Sequence, residues 1–298
     1  MVVIETPSCQ AYSRDVRNPF GYRPSLAAGT IFLTLFFLSA CTHLFQAIRY
    51  RKWWLSLFVL GAGCECLGWI ARTAAWKCSY SPALFTMQIA ILIFSPAFTT
   101  AGIYIILFRM IPLLGKHTSP FPPKLCLLLC LAVDIISLSL QAAGGGLASK
   151  SFHEDTDTRP GTYTMVAGIL FQLASTISYS ILMSIVFVRG FAGIRDSRPL
   201  RWLSGAVVLA IVCMVARGVY RSVELLQGWR GFLNTHQVYM IALDGVLMVT
   251  AVVALNVCNP EKLLKQAGEE IYLADPLVKE SGSEEEIKVG TPESSDIV

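Results

Sequence analysis

Long apolar runs, each interrupted by a few ionisable or amide residues at helical spacing, recur along most of this chain. An α-helix needs about 20 apolar residues to cross the hydrocarbon core of a bilayer. Runs of that length fall at 24–47, 53–74, 82–108, 124–147, 162–188, 202–220 and 238–257. They predict an all-α integral membrane protein, a bundle of seven transmembrane helices. Tyr22, Trp53, Trp54, Trp76, Tyr80, Tyr163, Trp202, Trp229 and Tyr239 lie at or just beyond the ends of these runs, as expected of aromatic residues at the headgroup level.

The polar interruptions are the informative positions. A charged side chain at the centre of a membrane helix costs roughly 2.5–3.5 kcal/mol on insertion scales, so several of them together predict a shared interior. In the second run Gly61, Glu65, Gly68 and Arg72 recur at steps of four, three and four and line one face. The two glycines on that face let a neighbouring helix approach closely. The fourth run carries Asp134, Ser137, Gln141 and Gly145, and the triplet Gly144-Gly145-Gly146 predicts a break near its end. In the sixth, Arg217, Arg221 and Glu224 fall at i, i+4 and i+7, and Asp244 lies inside the seventh. Guanidiniums in a planar five-donor fork suit phosphate or carboxylate. The same residues fit either a ligand site or a structural ion-pair cluster of the arginines with Glu65, Glu224 and Asp244. Gly168, Gln172, Ser175 and Tyr179 form a weaker stripe in the fifth run, and Pro96 predicts a kink in the third. His43 reads as a packing histidine.

Composition strengthens the membrane assignment. The 298 residues are 54% hydrophobic and 15% charged, with a mean hydropathy of +0.57, whereas soluble domains are about 25% charged. No n-region, short apolar core and cleavage site precede the first run, so the first helix is expected to be an uncleaved anchor. The basic residues set the orientation: Arg49, Arg51, Lys52, Arg109, Lys116, Lys124, Arg189, Arg195, Arg198 and Arg201 lie in loops of one side, and Lys150 and Arg159 on the other stand beside Glu154, Asp155 and Asp157. The N-terminus is therefore expected outside and the C-terminus in the cytosol, although Arg217, Arg221 and Arg230 are bases on the outer side. Arg72, Gln141, Arg217, Arg221, Glu224 and Asp244 then occupy the outer half, with Glu65 and Asp134 near the midplane. This predicts an outward-opening polar cavity above a hydrophobic lower bundle. The expected organisation is an extracytosolic segment over 1–23, a transmembrane domain over 24–258 and a disordered acidic cytosolic tail over 259–298, with Glu284, Glu285 and Glu286 in sequence. Most cysteines are dispersed within helices as small apolar fillers. Cys9 and Cys78 share the outer side, where a disulfide can persist.

The same residues carry a family resemblance. Over 21–260 the chain resembles the fungal lipid-translocating exporters, a seven-helix family named for aminocholesterol resistance that includes sphingoid long-chain base exporters. The matching stretches are Gly21-Tyr22-Arg23-Pro24-Ser25, the run from Cys64 through Glu65 and Gly68 to Arg72, and Ser95-Pro96-Ala97-Phe98 with Tyr104 and Arg109. Asp134-Ile135-Ile136-Ser137 through Gln141 to Gly146, Arg217-Gly218-Val219-Tyr220-Arg221-Ser222-Val223-Glu224, Gln227-Gly228, Tyr239 and Asp244 complete them. The family commonly carries Glu after a His before the last helix, where this chain has His236-Gln237. The resemblance implies a plasma-membrane or endomembrane protein that moves amphipathic lipids or lipophilic toxic compounds, or confers resistance to them. The substrate-binding residues expected from the polar stripes, which these stretches coincide with, are Glu65, Arg72, Asp134, Gln141, Arg217, Arg221, Glu224 and Asp244. The expected partners are the bilayer and a lipid or lipophilic small molecule, with no nucleic acid.

Other classes fit less well. No Gly-rich loop ending in Lys-Ser or Lys-Thr is present, so direct ATP drive has no support, and no cofactor or metal is expected. For a seven-helix receptor or lipid sensor, Arg109 lacks the acidic and Tyr neighbours usual after a third helix, and Asn259-Pro260 is followed by Glu261 rather than by a two-residue spacer to Tyr. A retinal protein needs a Schiff-base Lys in the last helix, which 238–257 lacks. An intramembrane zinc hydrolase needs converging ligands, yet only His43 of four histidines lies well within a run. A non-enzymatic protein is expected.

Overall fold

The computed structural model describes residues 9, 12, 13, 18–154, 156–228 and 231–274. Asp155, Trp229, Arg230 and the acidic stretch with Glu284, Glu285 and Glu286 lie outside them. Seven helices are long and apolar enough to cross a membrane. We label them α1 (Leu26–Tyr50), α2 (Ser56–Ala75), α3 (Pro82–Leu114), α4 (Pro123–His153), α5 (Arg159–Arg189), α6 (Arg198–Leu226) and α7 (Gln237–Val257). A further helix, α8 (Pro260–Ala274), follows them. No strand occurs among the described residues.

Local chemistry fixes several of these ends. Ser25 and Ser81 each accept from the backbone N–H three residues on, at 3.3 and 3.4 Å, and Pro82 follows its cap at the position where a missing N–H costs nothing. Gly228, with φ of 79°, ends the turn after α6 in the left-handed region. Several helices outrun their apolar windows: α3 extends to Leu114 and α6 to Leu226. Hydropathy reads only the apolar middle, whereas backbone pairing continues into the interface.

The glycine triplet does not break α4, which runs through Gly144, Gly145 and Gly146 to His153. A helix opened within the bilayer leaves its N–H and C=O groups without partners, so the ordinary weakness of glycine is overridden. Instead Gly144 lets α4 and α5 touch backbone to backbone: a Cβ there would stand 2.4 Å from Met165 N.

The helices differ in how much they are covered. Two-thirds (67%) of the most apolar stretch of α3 is buried, against 17% for α4. Helix α3 is thus the central post, and its Leu92, Ile103, Ile106 and Met110 pack with Phe36 of α1, Phe58 and Trp69 of α2, Leu203 and Val207 of α6, and Val252 and Leu255 of α7. Helices α4 and α5 form a hairpin on one flank.

The chain after α7 also departs from expectation, since 260–274 is helical rather than disordered. Asn259 caps α8 by accepting from Lys262 N at 3.1 Å, with Pro260 in its first turn. Leu264 and Ala267 are buried against the bundle. Glu261 accepts from Trp54 Nε1 at 3.1 Å and pairs with Arg109 at 3.3 Å and Lys52 at 3.8 Å. A helix with this buried face has enough contact to offset its ordering entropy.

Candidate polar site between α2, α3, α6 and α7

Five of the eight sequence-predicted residues converge on one spot. Arg217 Nε lies 2.5 Å from Asp244 Oδ1, and Arg217 Nη2 lies 3.7 Å from Glu65 Oε1. Arg221 grips Asp244 with two nitrogens, Nη2 at 2.6 Å and Nε at 3.3 Å, and its Nη1 reaches Glu224 Oε2 at 2.8 Å. Tyr220 donates to the other oxygen of Glu224 at 2.8 Å. All five charged residues are at most 5% exposed. Such a cluster tolerates burial because each guanidinium is met by a carboxylate, Arg221 through hydrogen bonds to Asp244 and Glu224 and Arg217 through its close charge contact with Asp244.

Two backbone features assemble it. Proline at position 96 has no N–H for the Leu92 carbonyl one turn back, and Arg217 Nη2 donates to that carbonyl. Helix α3 therefore stays continuous through Pro96 while its spare acceptor anchors the cluster. Leu92 itself sits against Gly68, where a Cβ would come within 2.4 Å of its Cδ2. On α7, Ile241–Val246 is a π-helix containing Asp244. One such wide turn rotates the following face and is frequent at functional positions. Nothing in the hydrophobic pattern predicted it.

The other three residues stand apart from this cluster. Arg72, fully buried, donates to Tyr22 Oη at 2.9 Å and to Gln88 Oε1 at 3.4 Å, and lies over the rings of Tyr22 and Trp69. Asp134, on α4, accepts from Thr100 Oγ1 at 3.4 Å. Among the described residues no Lys, Arg or His nitrogen lies within ion-pair distance of it. Gln141 donates to Gln172 Oε1 at 2.9 Å. Sequence reasoning missed Gln88, Thr100 and Leu92: the first two are uncharged residues in an apolar run, and the third acts through its backbone.

The expected outward-opening polar cavity is not what the polar residues form. They pack against one another, leaving beside them a cavity of about 40 Å³ lined by Pro96, Thr100, Gln172, Thr176, Arg217 and Arg221. That is room for about one water molecule. His43 is fully buried with its ring 5.3 Å from that of Phe58. Gln237, in place of the Glu common in the resembling family, accepts from Ser25 N at 3.2 Å and ties the starts of α1 and α7 together. Cys9 and Cys78 form a disulfide.

Comparison with known proteins decides the family. The model of the family described as "RTA1 like protein" matches residues 58–267. The chain belongs to the RTA1-like family. It is 27% identical over 277 residues to the sphingoid long-chain base transporter RSB1 of Saccharomyces cerevisiae, covering 80% of this chain and 72% of that one. It is 24% identical over 279 residues to protein RTA1 of the same yeast, with 83% and 86% covered. Protoporphyrin uptake protein 1, also from Saccharomyces cerevisiae, is 26% identical over 206 residues, 67% of this chain and 66% of that one. No solved structure shows a significant match. The matched region spans every residue of the polar site.

Proposed function

We propose that this protein moves amphipathic lipids of the sphingoid long-chain base type, or lipophilic toxic compounds, across the membrane by way of the polar site, without catalysing a covalent reaction. The observation that carries this reading is Glu65. Three carboxylates share the cluster with two guanidiniums, so one negative charge is left over. Asp244 and Glu224 are each held by an arginine at 2.8 Å or less. Glu65 is fully buried, and neither of its oxygens has a hydrogen bond. It is the group with capacity for one monovalent cation, either a protonated amine headgroup or a proton.

This gives the mechanism a balance. An ammonium that reaches Glu65 replaces a proton there, and its departure on the other side lets a proton return. Net movement then follows the lipid gradient or an opposing proton gradient, with no nucleotide needed. Arg217 and Arg221 stand closest to Asp244 and Glu224, which leaves Glu65 as the carboxylate with the most distant cation. Relatives bearing the names of a sphingoid long-chain base transporter and an uptake protein support movement as the activity.

In the same reading the N-terminal segment over 1–23 is extracytosolic, 24–258 is the translocating bundle, and 259–298 is cytosolic, with α8 against the inner end of the bundle. Two independent features support this orientation: the basic residues favour it, and the Cys9–Cys78 disulfide suits an oxidising side. The plasma membrane is the site where such movement protects a cell.

The test is headgroup-specific movement in proteoliposomes, comparing a labelled sphingoid base with a labelled phospholipid for wild type, Glu65→Gln and Glu224→Gln. Movement of the base that Glu65→Gln abolishes, in protein that stays monodisperse, is the expected result. Absence of movement of either lipid by wild type under an imposed proton gradient rejects transport and leaves a lipid sensor as the reading to pursue.

A further inference from the structure

An apolar cavity of about 310 Å³ lies between α3 and α4, lined by Phe85, Ile89 and Ile93 on one side, Ala142 and Gly146 on the other and Met165 of α5 behind. Its position relative to the polar site is specific. Ile93 is a wall of both this cavity and the small one that touches Arg217 and Arg221. Gln141 lines the apolar cavity and Gln172 the small one, and the two amides are hydrogen-bonded to each other at 2.9 Å. Gln141 is 1% exposed, and its Oε1 has no hydrogen-bond partner.

We infer that this cavity holds the hydrocarbon tail of a single-chain amphiphile whose head carries a hydroxyl or ammonium donor, with Gln141 Oε1 receiving that donor. The inference rests on the lipid-moving reading above and supplies its tail site. Three features select the occupant. A methylene group fills about the ~30 Å³ share of a water molecule, so the cavity takes on the order of ten methylenes of one chain and has no room for a second. The spare atom of Gln141 is an acceptor, which pairs with O–H or N–H and has nothing to offer a phosphodiester or an ester carbonyl. Ala142 and Gly146 are exposed on α4, so a tail can enter sideways from the bilayer. From Gln141 the head is one hydrogen-bonded amide from the cavity that Arg217 and Arg221 line.

The glycine run acquires a role here that helix breaking does not give it. At Gly144 a side chain would strike the backbone of α5, but at Gly146 a Cβ would meet nothing within 4 Å. Gly146 thus leaves space that a side chain can occupy without displacing the fold.

The experiment has two parts. First, movement of single-chain amino alcohols of increasing chain length is measured for wild type and Gly146→Leu in proteoliposomes. The variant is expected to lose long-chain substrates roughly ten-fold relative to short ones, the scale on which an apolar pocket separates chains differing by a methylene or two. Identical chain-length profiles overturn the proposal. Second, a single-chain amine with a photoreactive group at the tail end is cross-linked to wild type and the labelled residues are mapped. Labelling of Ala90, Phe94 or Ala142, displaced by unlabelled single-chain amine and not by a two-chain phospholipid, is expected. Label spread over the outward faces at Leu128 and Ile135, or equal displacement by the phospholipid, overturns it. Because cross-linking needs no transport, a wild type that moves nothing yet labels in the cavity supports the tail site while rejecting the transport reading.

Discussion

Two flanks of this bundle carry the same kind of residue and treat it differently. Between α6 and α7, Asp244 receives three guanidinium nitrogens within 3.3 Å. On α4, Asp134 is almost as buried, at 4% exposed, and accepts from the Thr100 hydroxyl at 3.4 Å. Both are aspartates within apolar runs. The difference teaches that burial of an acid does not specify its role: one holds two helices together, and the other stands beside a hydroxyl with one oxygen unpartnered. The flanks also pack differently. Where ion pairs tie α6 to α7 and α2, the α4–α5 hairpin relies on the close backbone contact at Gly144 and on single amide bonds such as Gln141 to Gln172.

The largest expected effect breaks the paired flank. Arg221→Met strips both Asp244 and Glu224 of a partner, and removing one side of a buried pair costs about 3–5 kcal/mol. Unfolding in detergent, followed by denaturant or temperature, is expected to show that loss, with partial recovery when Glu224→Gln is added. Next comes Gly144→Val on the hairpin flank. Its branched side chain must push α5 away, at a cost of about 1–3 kcal/mol, read by the same unfolding curves and by a cross-link between cysteines placed on α4 and α5.

A smaller effect is expected from Glu65→Gln, within about 1 kcal/mol of wild-type stability, because the lost carboxylate accepts no hydrogen bond and contacts Arg217 only at 3.7 Å. Its decisive readout is therefore movement of the amine lipid, which is expected to vanish while the melt stays in place. The smallest is Asp134→Asn. Replacing an acid that has no cation within ion-pair distance among the described residues with a neutral amide removes a desolvation cost, so stability is expected to stay level or to rise by up to about 1 kcal/mol. A loss as large as that of Arg221→Met would show that Asp134 is as firmly paired as Asp244 and would dissolve the contrast between the flanks.

Much of the architecture was legible in the residues. Helical spacing placed Glu65 with Gly61 and Gly68 on one face, and that face does meet α3 closely, at Leu92 and Thr99. Arg217, Arg221 and Glu224 were placed together at steps of four and three and do share a face. The docked helix α8 was not expected, although Asn259 as a cap, Pro260 after it and Glu261 in the first turn are residues that could have signalled it.

The chain by itself determined seven crossings and a buried polar interior, because span length and the cost of charge in hydrocarbon are set by composition and periodicity alone. Which polar groups would meet was decided only in three dimensions. A π-helix at Ile241–Val246, a carbonyl freed by Pro96 and a close approach at Gly68 together brought Asp244, Arg217 and Leu92 to one point. Whether Gly144, Gly145 and Gly146 break a helix was likewise settled by surroundings. In water the freed backbone would find partners, and in the bilayer only the helix itself supplies them.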